Sequence, residues 1–381
     1  MISPVYKLLG ALPLWLALSM ASLPVSAQFP TEPADTGVSG VYEVMVGVED
    51  ADKAVEHFKL FGFRVIQTGE FTAAESRALY GVSSALKSVR MQNAGVDAHG
   101  LLRILEWENL APGVGYAPPD TPGQRMAVMR TADIMRIVDV FKDERALGQP
   151  WLVIEPTLDV IYQDANKSPG LYENRRIGVR ETSIWGQWFN HIFFQRYGYD
   201  VPGYGYINEG SVFRTSEFTH HDFIQDKPLD ETVGYYVRAL GFQPEQEQPV
   251  IDGDWQTGAR VVFAMPPGHS HQYIGMRSPN DVSGKLKFFY PFDRTARSRM
   301  DRVAVNAEGI NMHSLYVDDV GLVRTLLRRE RIRPSAIRLN EYGEESLVFT
   351  GPDGAIWQIL RLRQPPTRPP VRDFKTIPVN H

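Results

Sequence analysis

One pattern recurs along the chain and limits the folds it can adopt: a strand, an acidic residue, a helix, and a Gly-Phe pair that opens the next strand. It appears first as an alternating strand over 41–48, Asp50, a helix over 51–60, and Gly62-Phe63. Asp is favoured just before a helix because its side chain accepts hydrogen bonds from free backbone N–H groups. A single unit of this kind leaves one face of its sheet bare, so several units must combine.

The pattern returns three times, most clearly near the C-terminus. The fourth unit has a strand over 312–317, Asp318-Asp319 and a helix over 320–329, and it closes with strands over 346–350 and 355–362 around Gly351-Pro352-Asp353-Gly354. The third unit has a strand over 221–225, a helix over 229–240 and Gly241-Phe242. A weaker second unit runs from Met126 through a helix over 132–147 to strands near 151–156 and 179–194. The spacing therefore predicts four βαβββ modules.

This order of elements resembles the vicinal oxygen chelate superfamily, which includes glyoxalases, bleomycin-resistance proteins and extradiol dioxygenases. The best match is Phe-Thr-Gly-Pro-Asp-Gly-Ala-Ile-Trp-Gln at 349–358, and the resemblance covers most of 40–362. It implies an α+β fold in which repeated βαβββ modules pair into two cup-shaped curved sheets. We expect modules 1 and 2 to form an upstream lobe over 38–200 and modules 3 and 4 a downstream lobe over 213–363, with a Pro-rich tail over 364–381.

The resemblance also implies a divalent metal in a cup, held by side chains from the first and last strands of each module. The downstream candidates are His220, His221, His269, His271, His313 and Gln358. His220 and His221 face opposite sides of a strand, and the distance to the helix favours His221. In module 4 the same distance back from the helix leads to Met312. His313 therefore takes the ligand position only if the strand is shifted by one residue. Gln358 stands where the superfamily usually has Glu.

Such a ligand set suits Fe, Zn, Mn or Ni, and His221 and His313 are the candidate catalytic residues because a histidine that is not a ligand can act as a general base. The missing carboxylate leaves dioxygenase, lyase and isomerase activities open for a small oxygenated, or aromatic, substrate. A metal-free protein that only binds or sequesters a small molecule, as bleomycin-resistance proteins do, is the alternative.

The upstream lobe has a different composition at the corresponding positions. Glu43 lies on its first strand, and its counterpart on the last strand of module 1 is Arg103, or Glu106 if the register differs. A glutamate facing an arginine forms an ion pair that needs no metal, so this lobe is expected to be degenerate.

The N-terminus bears on location. Lys7 precedes an apolar run over 8–18, and small residues at Val25-Ser26-Ala27 complete the pattern of a signal peptide over 1–27, cleaved after Ala27. The sequence therefore predicts a periplasmic or secreted protein without membrane contact after cleavage. It has no cysteine, and its net charge of −5 gives no basic face for nucleic acid. Modules of this type can pair between chains in a homodimer or within one chain, and four modules allow either.

Overall fold

The computed structural model describes residues 29–163, 176–252, 260, 262–264, 268–279, 283–294 and 296–367. The predicted signal peptide over 1–27 and the part of the tail beyond 367 lie outside the described residues. Within them, no helix has both the length and the apolar character needed to cross a membrane.

The four modules are present in the predicted order. The elements of module 1 are β1 (Glu43–Val48), α1 (Ala51–Leu60), β2 (Arg64–Phe71), α2 (Ala73–Tyr80), β3 (Leu86–Gln92) and β4 (Leu101–Trp107). Those of module 2 are β5 (Arg125–Thr131), α3 (Ile134–Ala146), β6 (Leu152–Val153), β7 (Thr157–Gln163), β8 (Arg176–Trp185) and β9 (Asn190–Tyr197).

Modules 3 and 4 follow, and the two helices of module 3 are only four residues each. Module 3 contains β10 (Thr215–Ile224), α4 (Leu229–Thr232), α5 (Tyr235–Arg238), β11 (Gln243–Pro244), β12 (Val250–Asp252), β13 (His271–Arg277) and β14 (Lys285–Pro291). Module 4 contains β15 (Gly309–Tyr316), α6 (Val320–Arg329), β16 (Arg338–Leu339), β17 (Glu345–Thr350) and β18 (Ile356–Arg361), after a 3-10 turn at Met300–Arg302.

The acidic caps predicted from the sequence are confirmed in modules 1 and 4. Asp50 accepts a hydrogen bond from the Lys53 backbone N–H at 3.0 Å, and Asp319 accepts one from Leu322 at 2.9 Å. Module 3 has no side-chain cap, and its predicted single helix over 229–240 is two short helices separated at Val233-Gly234. Glycine disfavours the interior of a helix because it loses the most backbone entropy there.

The modules combine into two curved sheets in an order that differs from the expected lobes. Sheet I runs β16-β17-β18-β15-β1-β4-β3-β2 and therefore joins module 1 to module 4. Sheet II follows the order β11-β13-β14-β10-β5-β9-β8-β6, which joins module 2 to module 3. The central pairs are antiparallel, with Glu43 opposite Ser314 in sheet I and Asp222 opposite Met126 in sheet II. The expected pairing of 1 with 2 and of 3 with 4 is thus wrong for the sheets.

Neighbouring modules meet instead through their convex faces, which carry the helices. One buried cluster joins β1, β4 and α1 of module 1 to β5, β9 and α3 of module 2. Another joins α4, α5 and β14 of module 3 to β18 and α6 of module 4. The two sheets therefore lie back to back, and their concave faces form two separate cups. We call the concave face of sheet I the first cup, that of sheet II the second cup, and the apolar layer between the sheets the seam.

Candidate functional site

The first cup is filled by side chains that neutralise one another. Glu43 on β1 accepts hydrogen bonds from Arg90 Nε at 2.5 Å, Arg103 Nε at 3.1 Å and the Ser314 hydroxyl at 2.6 Å. Both arginines and Glu43 are at most 3% exposed. The predicted ion pair between Glu43 and Arg103 is confirmed.

Further carboxylates complete this network from module 4. Arg90 binds both oxygens of Glu344, at 2.9 and 2.8 Å. Arg103 Nη1 donates to Glu341 at 3.2 Å and to the side-chain oxygen of Gln358 at 2.8 Å. Gln358 was predicted to lie in a cup shared by modules 3 and 4, but it lies in the cup that module 4 shares with module 1, where it accepts from Arg103. A guanidinium at this position leaves no place for a metal ion.

The charges in the first cup are firmly fixed. Burial alone would raise the pKa of Glu43, but Arg103 and Arg90 lower it to about 2. Buried ion pairs are tolerated only when their remaining hydrogen-bonding atoms are satisfied, as they are for Glu43. The first cup is thus a structural core made of charged groups.

The second cup also contains a partly buried cationic side chain, Lys287, but the carboxylate beside it has an oxygen without a hydrogen-bond partner. Lys287 on β14 lies beside Asp222 on β10, because the two residues are register partners on adjacent parallel strands. Asp222 is 5% exposed, and its Oδ1 has no hydrogen-bond partner. Burial raises the pKa of Asp222 to about 7, against the opposing effect of Lys287. A carboxylate with a free oxygen and a pKa near neutrality can take up and release protons.

His220 connects this pair to the cup wall. Its Nε2 lies 3.4 Å from Lys287 Nζ, and its Nδ1 lies 2.5 Å from the hydroxyl of Tyr204. Burial, with a further contribution from Lys287, lowers the pKa of His220 well below its usual range, so the ring is neutral. Since an ammonium group can only donate, Nε2 accepts from Lys287 and Nδ1 carries the proton. Nδ1 then donates to Tyr204, and the Thr219 hydroxyl lies 3.1 Å from the same nitrogen.

Lys287 remains protonated in this setting. Burial alone would favour the neutral amine, but the neighbouring Tyr273 and Asp222 raise the pKa of Lys287 above its usual value. Two further charged groups lie near: Glu181, which also acts to raise the pKa of Asp222, and Arg196, 5.0 Å from the ring centroid of Phe194. The remaining wall is apolar and aromatic and includes Met126, Val128, Trp185, Ile192, Phe194, Phe263 and Phe289. The second cup thus combines an ammonium group, a proton acceptor and a hydroxyl group within a largely apolar wall.

The two residues predicted to be catalytic lie together, but in the seam. His221 and His313 project from the convex faces of the two sheets, with ring centroids 5.2 Å apart, and both are at most 1% exposed. Neither nitrogen of either ring has a hydrogen-bond partner. Burial lowers the pKa of His221 to about 3, and it lowers the pKa of His313 as well. Both rings are neutral, and the ring of His313 packs against Phe223 and Trp357 as well as against His221.

The remaining predicted ligands lie elsewhere. His271 is buried near Phe289 of the second cup, with ring centroids 5.9 Å apart. His269 lies in the loop before β13 and is partly exposed. The six predicted residues are therefore distributed over the first cup, the second cup, the seam and a loop. In the part of the chain that the structure describes, no group of three or more His, Asp or Glu could hold a metal ion. The residues present do not fit the divalent metal that the resemblance implied.

Sequence reasoning missed Lys287, which lies at the centre of the second cup. His269 and His271 were candidate ligands from the last strand of module 3, but β13 is the strand before it, and the last strand is β14. The sequence pattern that could have indicated this strand is the alternation over 285–289. In it, Lys285 and Lys287 alternate with the buried Leu286 and Phe288.

Two solved structures illustrate what this architecture is similar to. A "putative dioxygenase" from Bacillus subtilis subsp. subtilis str. 168 matches 86% of this chain and 87% of its own, with a TM-score of 0.51 and 9% identity. Glyoxalase I from Zea mays matches 85% of this chain and 92% of its own, with a TM-score of 0.46 and 10% identity. The chain matches no protein-family model and no curated protein.

At this level of identity the first likeness concerns the fold alone. The chain is an α+β protein of four βαβββ modules arranged in two curved sheets, and this fold is similar to that of the Bacillus subtilis protein. Its chemistry has to be argued from its own residues, because a fold hosts many functions.

Proposed function

We propose that this protein is an exported, metal-independent enzyme that moves a proton on a small carbonyl compound bound in the second cup. The observation that carries the proposal is the juxtaposition of Asp222, with its free Oδ1, and the protonated Lys287 on neighbouring strands. The reaction class is a lyase or isomerase. The dioxygenase that the resemblance allowed is not retained, because the described residues of the two cups include no group that fits a metal.

The chemistry follows from the charges of this pair. The Asp222 carboxylate removes a proton from the carbon next to the substrate carbonyl, and the electron pair of that C–H bond moves onto the carbonyl oxygen. The Lys287 ammonium stabilises the resulting enolate through a charge-assisted hydrogen bond. Asp222 then returns the proton to carbon. The sequence is redox-neutral, and a pKa near 7 suits a base that must both accept and release the proton.

Exchange of substrate hydrogen for deuterium tests the proposal without knowledge of the natural substrate. Pyruvate and phenylpyruvate would be incubated with the protein in D2O, and loss of the α-proton signal would be followed by NMR. We expect exchange well above the buffer rate, reduced about 100-fold or more in Asp222→Asn and in Lys287→Met. Lys285→Met is the matched control, because Lys285 lies on the same face of β14 and is paired with Glu245 at 3.2 Å.

Two outcomes would contradict the proposal. If a probe binds to the second cup and Lys287→Met abolishes binding, but no proton exchanges, the site only holds its ligand, as in the sequestering alternative. Exchange that persists unchanged in Asp222→Asn would place the base elsewhere.

Export is proposed from the signal pattern over 1–27. Protein recovered from the periplasm or the medium should begin at Gln28 when its N-terminus is sequenced. Full-length protein retained in the cytoplasm would contradict export and would leave the chemistry of the cup unaffected.

A further inference from the structure

A second feature lies outside both cups, on the edge of sheet I formed by module 4. Between the end of α6 and β16 the chain exposes five arginines within eleven residues: Arg328, Arg329, Arg331, Arg333 and Arg338. None of the five has an ion-pair partner among the described residues, and Glu330, which lies between them, is paired with Arg238 at 2.7 Å. We call these five residues the arginine surface. In a chain of net charge −5 it is a local excess of positive charge.

Helix stability explains only part of this surface. Arg328 and Arg329 lie in the last turn of α6, where cations interact favourably with the helix dipole. Arg331 follows the helix with φ of 61°, in the left-handed position that ends a Schellman motif, where the Ile332 N–H bonds the Leu327 carbonyl at 2.9 Å. Glycine is usual there because a Cβ is strained in this conformation. An arginine at this position, and two more beyond it, have no role in ending the helix.

The side chains around the arginines indicate the kind of partner. The segment over 320–363 contains eight arginines and no lysine. Guanidinium binds phosphate oxygens in a bidentate manner, which an ammonium group cannot do. Leu339, next to Arg338, is 63% exposed, and Leu322, two helical turns before Arg329 on the same face of α6, is 38% exposed.

Phosphate-binding cations beside exposed leucines are suited to a lipid surface. Headgroup phosphates attract basic residues, and leucines enter the boundary between headgroups and acyl chains. A single-stranded nucleic acid site would instead present aromatic side chains for stacking. In the segment over 320–345 no aromatic side chain is exposed.

We propose that the arginine surface, with Leu322 and Leu339, docks the protein onto membranes rich in anionic phospholipid. The sequence alone predicted no membrane contact after signal cleavage, and the surface is recognisable only once the exposure of each residue is known. The proposal is independent of the chemistry in the second cup.

Flotation with lipid vesicles tests the proposal. The full chain would be mixed with vesicles of phosphatidylcholine alone or with 40% phosphatidylglycerol, a ratio chosen for about the anionic charge of a bacterial surface. We expect binding to the anionic vesicles to fall at least tenfold, to the order of the level on phosphatidylcholine, in Arg331→Glu/Arg333→Glu/Arg338→Glu. Binding to pure phosphatidylcholine measures the contribution of the N-terminal apolar segment.

The matched control is Arg136→Glu/Arg145→Glu/Arg297→Glu, which makes the same change in net charge at exposed arginines elsewhere. If this control loses as much vesicle binding, the effect depends on net charge alone, and the proposed docking site is wrong. Leu339→Ser should weaken vesicle binding and leave binding to heparin unchanged. If Leu339→Ser has no effect and the chain binds heparin or duplex DNA as well as vesicles, a soluble polyanion is the partner and the membrane proposal fails. Circular dichroism of each variant shows whether it is folded.

Discussion

The two cups have the same strand arrangement, and they use opposite ways of burying charge. In the first cup, Arg90 and Arg103 are matched by Glu43, Glu341 and Glu344, so that the oxygens of Glu43 and Glu344 are occupied. In the second cup, Lys287 faces Asp222, which keeps a buried oxygen without a partner. A completed network stabilises a fold, whereas an incomplete one stores free energy that a ligand can recover.

The difference also appears in the pKa values of the two carboxylates. The pKa of Glu43 is lowered to about 2 and that of Asp222 is raised to about 7. Ionisation of Glu43 therefore stabilises the fold, and ionisation of Asp222 destabilises it. The same fold thus separates a structural cup from a reactive one by the number of partners that each carboxylate has.

The largest expected effect comes from breaking the first cup. Arg103→Met leaves Glu43 and Glu341 buried without their shared partner, and we expect the free energy of unfolding to fall by about 3–5 kcal/mol. Urea denaturation followed by circular dichroism measures it. The exposed Arg136→Met is the control and should change stability by about 0.5 kcal/mol or less. A loss as small as that in Arg103→Met would show that the network contributes little.

The next effect is the pH dependence of the free energy of unfolding, which has opposite signs for the carboxylates of the two cups. Because the folded pKa of Asp222 lies above its unfolded value of 3.8, the folded state binds more protons between about pH 4 and 7, and stability falls as pH rises through this range. Asp222→Asn removes this loss, so its stability relative to the parent protein should increase with pH by up to about 1.4 kcal/mol per unit.

Glu43 behaves in the opposite way, since its folded pKa lies below its unfolded value of 4.5. Its stabilisation is present above pH 4.5 and is lost as pH falls toward 2. Denaturation of the parent protein and of Asp222→Asn at pH 4, 5.5 and 7 measures the Asp222 effect. A difference that does not vary with pH would mean that Asp222 is not a strained carboxylate.

The smallest effect concerns the seam. Each ring nitrogen of His221 and His313 is buried without a hydrogen-bond partner, and this lowers the stability of the folded state. We therefore expect His221→Leu/His313→Leu to be neutral or to raise the free energy of unfolding by about 1 kcal/mol at pH 7. The gain should grow below pH 6.5, where unfolding lets the parent histidines take up protons. Urea denaturation at pH 7 and pH 5 measures both effects.

The same double variant tests the predicted metal site. Elemental analysis by mass spectrometry would show whether the parent chain, purified without chelator or nickel resin, carries a metal that the variant loses. If the parent protein carries near-stoichiometric metal, and the double variant loses both the metal and stability, these two histidines are metal ligands. That result would contradict our interpretation.

The local predictions from the sequence were mostly correct, for a physical reason. Asp50 and Asp319 cap helices through contacts within three residues, and the parity of β1 and β4 placed Glu43 toward Arg103. The alternation of residues along a strand, however, shows only which residues share a face, and not which face lines the cup. His220 and His221 are both buried, so polarity did not show which of them faces the cup.

The pairing of modules could not be read from the sequence. Each module presents an apolar helical face and a sheet edge, and the sequence does not determine which of these meets the neighbouring module. Here neighbours in the chain share the helical faces, while the sheets join module 1 to module 4. His221 and His313 were predicted to share a cup because they belong to consecutive modules, and consecutive modules meet in the seam.

The closure of sheet I by the last module has a consequence for how the chain folds. The hydrogen bond between Ser314 and Glu43 joins residues 271 positions apart in sequence, so β1 has no antiparallel partner until module 4 has been synthesised. Contacts of such long range form slowly, because a large loop must close before they contribute. Sheet II can assemble from consecutive modules, and we expect it to form first. Any truncation that removes β15 and β18 would leave the arginines of the first cup without Gln358 and without an enclosing wall, so the last fifth of the chain controls whether module 1 is folded.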